Sequence, residues 1–156
     1  MLKIKIICLG KLKESYWREA EAEYLKRLGP FAKIEIIELP EISFQPKDNP
    51  EKIKEKEGKS ILKHIKDDEF VIALDERGKE KSSEELAHFL EETGQRGQTI
   101  TFIIGGPLGL SGELLSHANL QLSFSRLTFT HQMIRVILLE QIYRTGNIMM
   151  GKIYHY

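Results

Sequence analysis

The order of apolar and polar positions along the chain predicts strands alternating with helices. Lys3–Leu9 (KIKIICL) is a β-branched run that ends at Gly10, which marks a strand. Residues 13–28 place Tyr16, Trp17, Ala20, Tyr24, Leu25 and Leu28 on one stripe at the helical period, and Gly29-Pro30 stops the helix. Lys33–Leu39 (KIEIIEL) alternates with period two, so this strand keeps one polar face and belongs at an edge or an open side. Pro40 to Pro50 reads as a loop. Glu51–Ile65 is rich in lysine and glutamate, with Ile53, Ile61, Leu62 and Ile65 as a sparse apolar face, and predicts a solvated helix. Phe70–Leu74 (FVIAL) and Ile100–Ile104 (ITFII) are continuously apolar, as buried parallel strands are. Between them, Ser82-Ser83-Glu84-Glu85 predicts a capping box ahead of Leu86, Phe89 and Leu90. Ser111 caps a short helix through about His117, Leu120–Phe124 forms a fifth strand, and Thr130–Arg144 forms the last helix.

Five strands alternating with helices predict an α/β fold with a mostly parallel five-stranded sheet flanked by helices, in one domain over residues 1–156. In the last helix, Met133, Ile134, Val136, Ile137, Leu138, Leu139, Ile142 and Tyr143 cover more than one face. Such a helix needs two partners. Its own sheet is one, and a second subunit is expected as the other, against the plainer alternative of burial within its own domain.

Charge changes the picture in one respect. The 23 basic and 23 acidic residues cancel, which argues against a generic basic coat for nucleic acid. The distribution is uneven. Residues 67–92 carry ten acidic and three basic side chains, whereas residues 1–30 carry seven basic and four acidic ones. An RNA-binding face therefore requires the two ends of the chain to meet. The single cysteine excludes an internal disulfide, and no run approaches the length of a membrane span. With no secretory leader ahead of the first strand, a cytoplasmic protein is expected.

Ligands of open parallel sheets bind beyond the carboxyl ends of the strands. Three segments leave strands at such positions: Leu74–Gly78, Gly105–Gly109 and Ser125–Thr130. Together they are expected to wrap a nucleoside-like molecule. The standard phosphate motifs are missing. Gly10 stands alone after the first strand, and Gly58-Lys59-Ser60 imitates the end of a phosphate loop without its first glycine and in a helical setting. Cys8 reads as a small core residue. The five histidines have no metal-ligand spacing, so no metal is expected. His131 reads equally well as a structural and as a functional residue. The aromatic tail Tyr154-His155-Tyr156 offers an imidazole, two hydroxyls and stacking surface, with aromatic anchoring as the plainer reading.

Several stretches, in order and at matching spacing over essentially the whole chain, carry a resemblance. They are the opening KIKIICLGKLK, Ala73–Lys79 (ALDERGK), Phe102–Pro107 (FIIGGP), Leu122–Ser125 (LSFS), Thr128–Gln132 (TFTHQ), Leu139–Arg144 (LEQIYR), and Gly151 with Tyr154-His155. The chain resembles the 23S ribosomal RNA pseudouridine N3-methyltransferase family, within the SPOUT class of knotted methyltransferases. The resemblance implies S-adenosyl-L-methionine as methyl donor, held in a C-terminal trefoil knot that periodicity does not predict. It implies a homodimer acting on 23S rRNA in the assembled 70S ribosome, with no membrane and no metal. By the family pattern, Leu74, Gly105 and the loop Phe124, Ser125, Arg126, Leu127, Thr128 and Phe129 lie on the cofactor. Gly106 and Pro107 shape the neighbouring turn. The chain departs from the pattern at Leu108, Thr130, Gly146-Asn147, Ile153 and Tyr156.

The expected chemistry rests on the tail and two arginines. His155 is expected to accept or relay the substrate proton and Tyr154 to hold the base. Arg144 and Arg135 are expected to contact phosphate or steady the deprotonated ring, and Tyr156 to lie on RNA. The rivals are another SPOUT-type RNA methyltransferase and a non-catalytic ribosome-associated protein that binds the cofactor.

Overall fold

The computed structural model describes residues 1–153. Ten elements alternate along them: β1 (Leu2–Leu9), α1 (Ser15–Leu28), β2 (Ala32–Leu39), α2 (Pro50–Leu62), β3 (Phe70–Glu80), α3 (Ser83–Gln95), β4 (Ile100–Ile104), α4 (Gly112–His117), β5 (Leu120–Ser123) and α5 (His131–Met149). The strands form one sheet in the order β2-β1-β4-β3-β5, and every pairing is parallel. All strands therefore end at the same edge, and the exits of β4, β3 and β5 are neighbours there. β2 is an edge strand, which accounts for its polar alternation.

Alternate residues of each strand feed two cores. Ile4, Ile6 and Cys8 of β1 join Ile72, Phe102 and Leu122 under α1, α3 and α5. Ile7 and Leu9 join Val71, Ala73 and Ile103 under α2 and α4. Lys5 falls on the second face and is buried, where its ammonium pairs with Glu69 and donates to the His64 carbonyl at 2.7 Å. The Thr101 hydroxyl donates to the other Glu69 oxygen at 2.8 Å, so the buried carboxylate is satisfied on both sides.

The helix starts follow the caps. Ser82 and Glu85 form the expected capping box of α3, and the Ser111 hydroxyl accepts from the Leu114 N–H at the start of α4. Thr130 caps α5, its hydroxyl accepting from the Met133 N–H at 3.3 Å. Asn49 caps α2, with Pro50 in the first turn.

Three expectations about the helices change. α5 continues past Arg144 to Met149. Gly146 lies in that added turn with the Phe31 ring against it, so close that a Cβ there would stand 2.5 Å from the ring. α2 is not simply solvated, because it buries Ile53, Glu57, Gly58 and Ile61. Of the stripe expected on α1, only Leu28 is fully buried. Tyr24 and Leu25 pack at the rim of the core, and Tyr16 is exposed. Among the described residues, no helix is long and apolar enough to cross a membrane.

Candidate active site

β3 does not stop at Leu74. It pairs with β5 through Leu74 opposite Leu122, loops out over residues 75–78, and resumes with Lys79 opposite the same Leu122. The polar segment Asp75-Glu76-Arg77 is thus a bulge that leaves the sheet and returns to it. Gly78 makes the return. A Cβ at Gly78 would lie 2.6 Å from the Gln121 carbonyl carbon and oxygen, which are backbone and cannot swing aside. Two local bonds fix the bulge. The Asp75 carboxylate accepts from the Arg77 N–H at 2.8 Å, and the Ser123 hydroxyl, 3.1 Å from the Glu76 carbonyl and 2.9 Å from the Ser125 carbonyl, ties it to the loop after β5.

The exits of β3, β4 and β5 then enclose one cavity of about 730 Å³. That lies in the range of roughly 300–1,000 Å³ typical of small-molecule sites. Its wall takes Leu74 to Arg77 from β3, Ile104 to Leu110 after β4, and Leu122, Phe124, Ser125 and residues 127–130 at and beyond the end of β5. His131, Gln132 and Ile134 from the first turn of α5 close it. Nδ1 of His131 is buried with no hydrogen-bond partner among the described residues, which leaves a polar atom for a ligand to meet.

The residues expected on the cofactor are mostly brought together here. Leu74, Gly105, Gly106, Pro107, Phe124, Ser125, Leu127, Thr128 and Phe129 line this cavity. Arg126 does not. It lines a second, smaller cavity with Glu80 and Lys81. Arg144 is also outside the main cavity. It pairs with Glu140 on α5, ten residues past Ile134 and so about 15 Å further along the helix axis. Tyr154, His155 and Tyr156 lie outside the described residues.

Arg135 requires a correction. Expected to contact RNA phosphate, it is completely buried. Its guanidinium donates to Glu38 at 2.7 Å, to Glu21 at 3.2 Å and to the Gly10 carbonyl at 3.0 Å. Burial works against the charge, and the carboxylates of Glu38 and Glu21, through hydrogen bonds and charge, outweigh it, so the side chain remains a cation. Arg135 fastens the start of α5, and with it the His131 wall, to the exit of β1. Gln132 adds a second tie by accepting from the Lys13 N–H at 3.0 Å. Cys8 lies in the same neighbourhood, and burial pushes its thiol up to about 12, which removes it from nucleophilic chemistry near neutral pH.

Sequence reasoning missed the part played by α2. Gly58, the imitation phosphate-loop glycine, sits in mid-helix where a Cβ would stand 2.5 Å from the Ser111 hydroxyl. It lets α2 press on the segment that follows the Gly105–Gly109 turn. Glu57 is buried beside Gly106, with its carboxylate accepting the Ile42 N–H at 3.1 Å. The only sequence signal for this was a glycine inside a helical pattern.

Burial pushes the Glu57 carboxyl above its ordinary value of 4.5, the Ile42 bond opposes the shift, and the nearby Glu41 charge adds to it. The native state therefore holds this proton more tightly than the unfolded chain does. The ionised form costs stability progressively as pH rises from the ordinary value through the raised one. Glu57→Gln is expected to melt increasingly above the wild type across that window and by a constant margin beyond it. Melting temperatures measured from pH 4 to 8 check this, and a pH-independent difference would contradict it.

Among the described residues, no three His, Cys, Asp or Glu side chains cluster as a metal ion would need.

Residues 2–155 match the family described as "Predicted SPOUT methyltransferase". Over 158 aligned positions the chain is 50% identical to the ribosomal RNA large subunit methyltransferase H of Carboxydothermus hydrogenoformans, with 99% of each chain covered. It is 52% identical over 158 positions to the protein of the same name from Ligilactobacillus salivarius, again with 99% of each covered. Among solved structures, a methylase family protein from Haemophilus influenzae Rd KW20 gives a TM-score of 0.53 at 15% identity, covering 98% of this chain and 70% of that one. One from Neisseria gonorrhoeae gives 0.50 at 15% identity, covering 90% and 81%. At such identities the structural likeness concerns the fold alone.

Proposed function

The chain belongs to the SPOUT methyltransferase family, and on that premise we propose that it uses S-adenosyl-L-methionine to methylate N3 of a pseudouridine in 23S rRNA of the assembled ribosome. The observation that carries the reading is the convergence of three parallel strand exits on one cavity, at the edge where such sheets bind ligands. The name shared by the two relatives, ribosomal RNA large subunit methyltransferase H, supports the substrate class. In this reading the chain threads its C-terminal segment as a trefoil knot.

When bound, S-adenosylmethionine supplies an electrophilic methyl group on a sulfonium. The chain's own residues have three tasks. Leu74, Leu122, Phe124 and Ile134 give the cavity an apolar wall that excludes water, and the turns at 105–109 and 124–129 bring main chain to the adenosyl group. The third task is the proton of the imide nitrogen. At an imide pKa of about 9–10, removing it at neutral pH costs about 3–4 kcal/mol. His155 accepts or relays that proton, Tyr154 holds the base, and Arg144 steadies the developing anion. Tyr156 and Arg144 meet the RNA. Alignment of sulfur, methyl and nitrogen supplies much of the remaining acceleration.

The position of Arg144 favours a homodimer. About 15 Å of helix separates it from Ile134, so it serves a cavity more readily from a second copy than from its own chain. Leu127, Phe129 and Met133 are exposed around the cavity, as an apolar rim awaiting a partner would be. A chain without net charge gains little from non-specific attraction to RNA, which favours recognition of a shaped ribosomal surface in the cytoplasm.

The test is transfer of labelled methyl from S-adenosylmethionine to ribosomes that lack the modification, followed by nucleoside analysis. Label in N3-methylpseudouridine of the large-subunit RNA is the expected result. Label in another nucleoside would move the chain to a different target, and no label in RNA would overturn the reading.

A further inference from the structure

The mechanism leaves the charged residues of the cavity wall without a role, and Lys54 is the covered cation among them. Lys54 lies on α2, one turn before Glu57, and lines the cavity with its side chain 18% exposed. It does not sit on a loose helix. Gly58 against Ser111 and Glu57 beside Gly106 press the next turn of α2 onto the segment after β4, so the Lys54 backbone is fixed relative to the site. The ammonium pairs with Glu51 at 2.8 Å, but the Glu51 side chain is 67% exposed. A pair so open to water is worth about 0–1 kcal/mol, so an anion inside the cavity takes over the ammonium at little cost.

The remaining charges of the wall define what fits. The β3 bulge contributes Asp75 and Glu76. Glu76 is exposed, whereas the Asp75 side chain is 11% exposed and has, among the described residues, only the solvent-facing Arg77 as a counter-charge, at 3.7 Å. Within the wall the cavity therefore sets the Lys54 ammonium against one covered carboxylate, a pattern that suits a zwitterion. Arg77, also on the wall, has a side chain 80% exposed and belongs to its open side. When an enzyme takes one base out of an RNA, the phosphates stay outside. A phosphate therefore meets a residue exposed like Arg77, whereas Lys54, largely covered by the wall, meets a ligand that sits within.

The geometry points to Lys54 as the residue that binds the carboxylate at the methionine end of the methyl donor. This rests on the donor reading above. Lys54 positions the donor and takes no part in bond making.

The test uses the full-length protein and three ligands, with Kd measured by calorimetry. S-Adenosylmethionine and S-adenosylhomocysteine carry the carboxylate, and 5′-methylthioadenosine keeps the adenosyl thioether without the amino acid. Lys54→Met is expected to weaken the first two about tenfold, the order of one charge-assisted hydrogen bond, and to leave the third unchanged. Lys54→Arg is expected to recover most of the loss. Glu51→Gln removes the resting partner and is expected to weaken none of them. If the lysine only braced α2, Lys54→Met and Glu51→Gln would weaken all three ligands alike, and the proposal would fall. Unchanged donor affinity with a raised KM for ribosomes would assign Lys54 to RNA instead. If the wild type binds none of the three ligands, the donor reading itself fails and this proposal with it.

Discussion

Gly78→Val is expected to remove donor binding while leaving most of the fold standing. The substitution puts atoms where the Gln121 carbonyl and the Leu122 N–H already are, 2.6–2.8 Å from the new Cβ. Neither is a side-chain end that can rotate away, so the bulge over residues 75–78 or its pairing with β5 must shift. Overpacking of this kind costs about 1–3 kcal/mol, well inside the 5–15 kcal/mol stability usual for a domain. The functional cost is larger, because Leu74 to Arg77 and the loop after β5 (Phe124, Ser125 and residues 127–129) both form the wall and are tied through Ser123. Affinity for S-adenosylmethionine is expected to fall more than tenfold, since displacement of one wall loses several contacts of about 1 kcal/mol each. Gly78→Ala is expected to do the same to a smaller degree. Calorimetric titration beside a melting curve checks both. A variant that melts normally and binds the donor normally would show that the bulge does not shape the site.

The second large effect concerns stability. Arg135→Met is expected to destabilise the protein by about 3 kcal/mol. Removing one partner of a buried ion pair costs about 3–5 kcal/mol because the other charge is left without compensation. Here the lower end applies, since the Glu21 and Glu38 side chains keep 20% and 36% of their surface in water. The Gly10 carbonyl also loses its donor. Chemical denaturation at neutral pH measures the loss. The same variant separates the buried role from the phosphate contact expected from sequence: the salt dependence of ribosome binding should stay that of the wild type. A shallower salt dependence, as follows from a lost phosphate contact, would contradict the buried role.

These two residues mark where the sequence was legible and where it was not. The five strands and their parallel arrangement were readable because FVIAL and ITFII are apolar throughout and KIEIIEL alternates, patterns that burial on two faces or one imposes directly. The caps at Ser82 and Ser111 were readable because capping is local. The continuation of β3 was not, since DERGK is as polar as a loop and only its pairing with β5 returns it to the sheet. Arg135 was misread because its partners are 114 and 97 residues away in sequence. A cation in an apolar helix looks like a surface contact until those carboxylates are seen. The reason for Gly58 and Gly146 was not legible either, because the Ser111 hydroxyl and Phe31 ring that require them come from other elements. Most of the expected cofactor residues came from family resemblance; strand-exit logic alone identified the three segments and the expectation that together they wrap a ligand, without the individual contact residues.

The measurement that bears most directly on the account is a crystal structure with S-adenosylmethionine bound. The adenosyl group is expected between Leu74, the Gly105–Gly109 turn and the loop after β5, with the methionine carboxylate at Lys54. A donor bound elsewhere on the chain, or a cavity that stays empty when donor saturates the crystal, would contradict it.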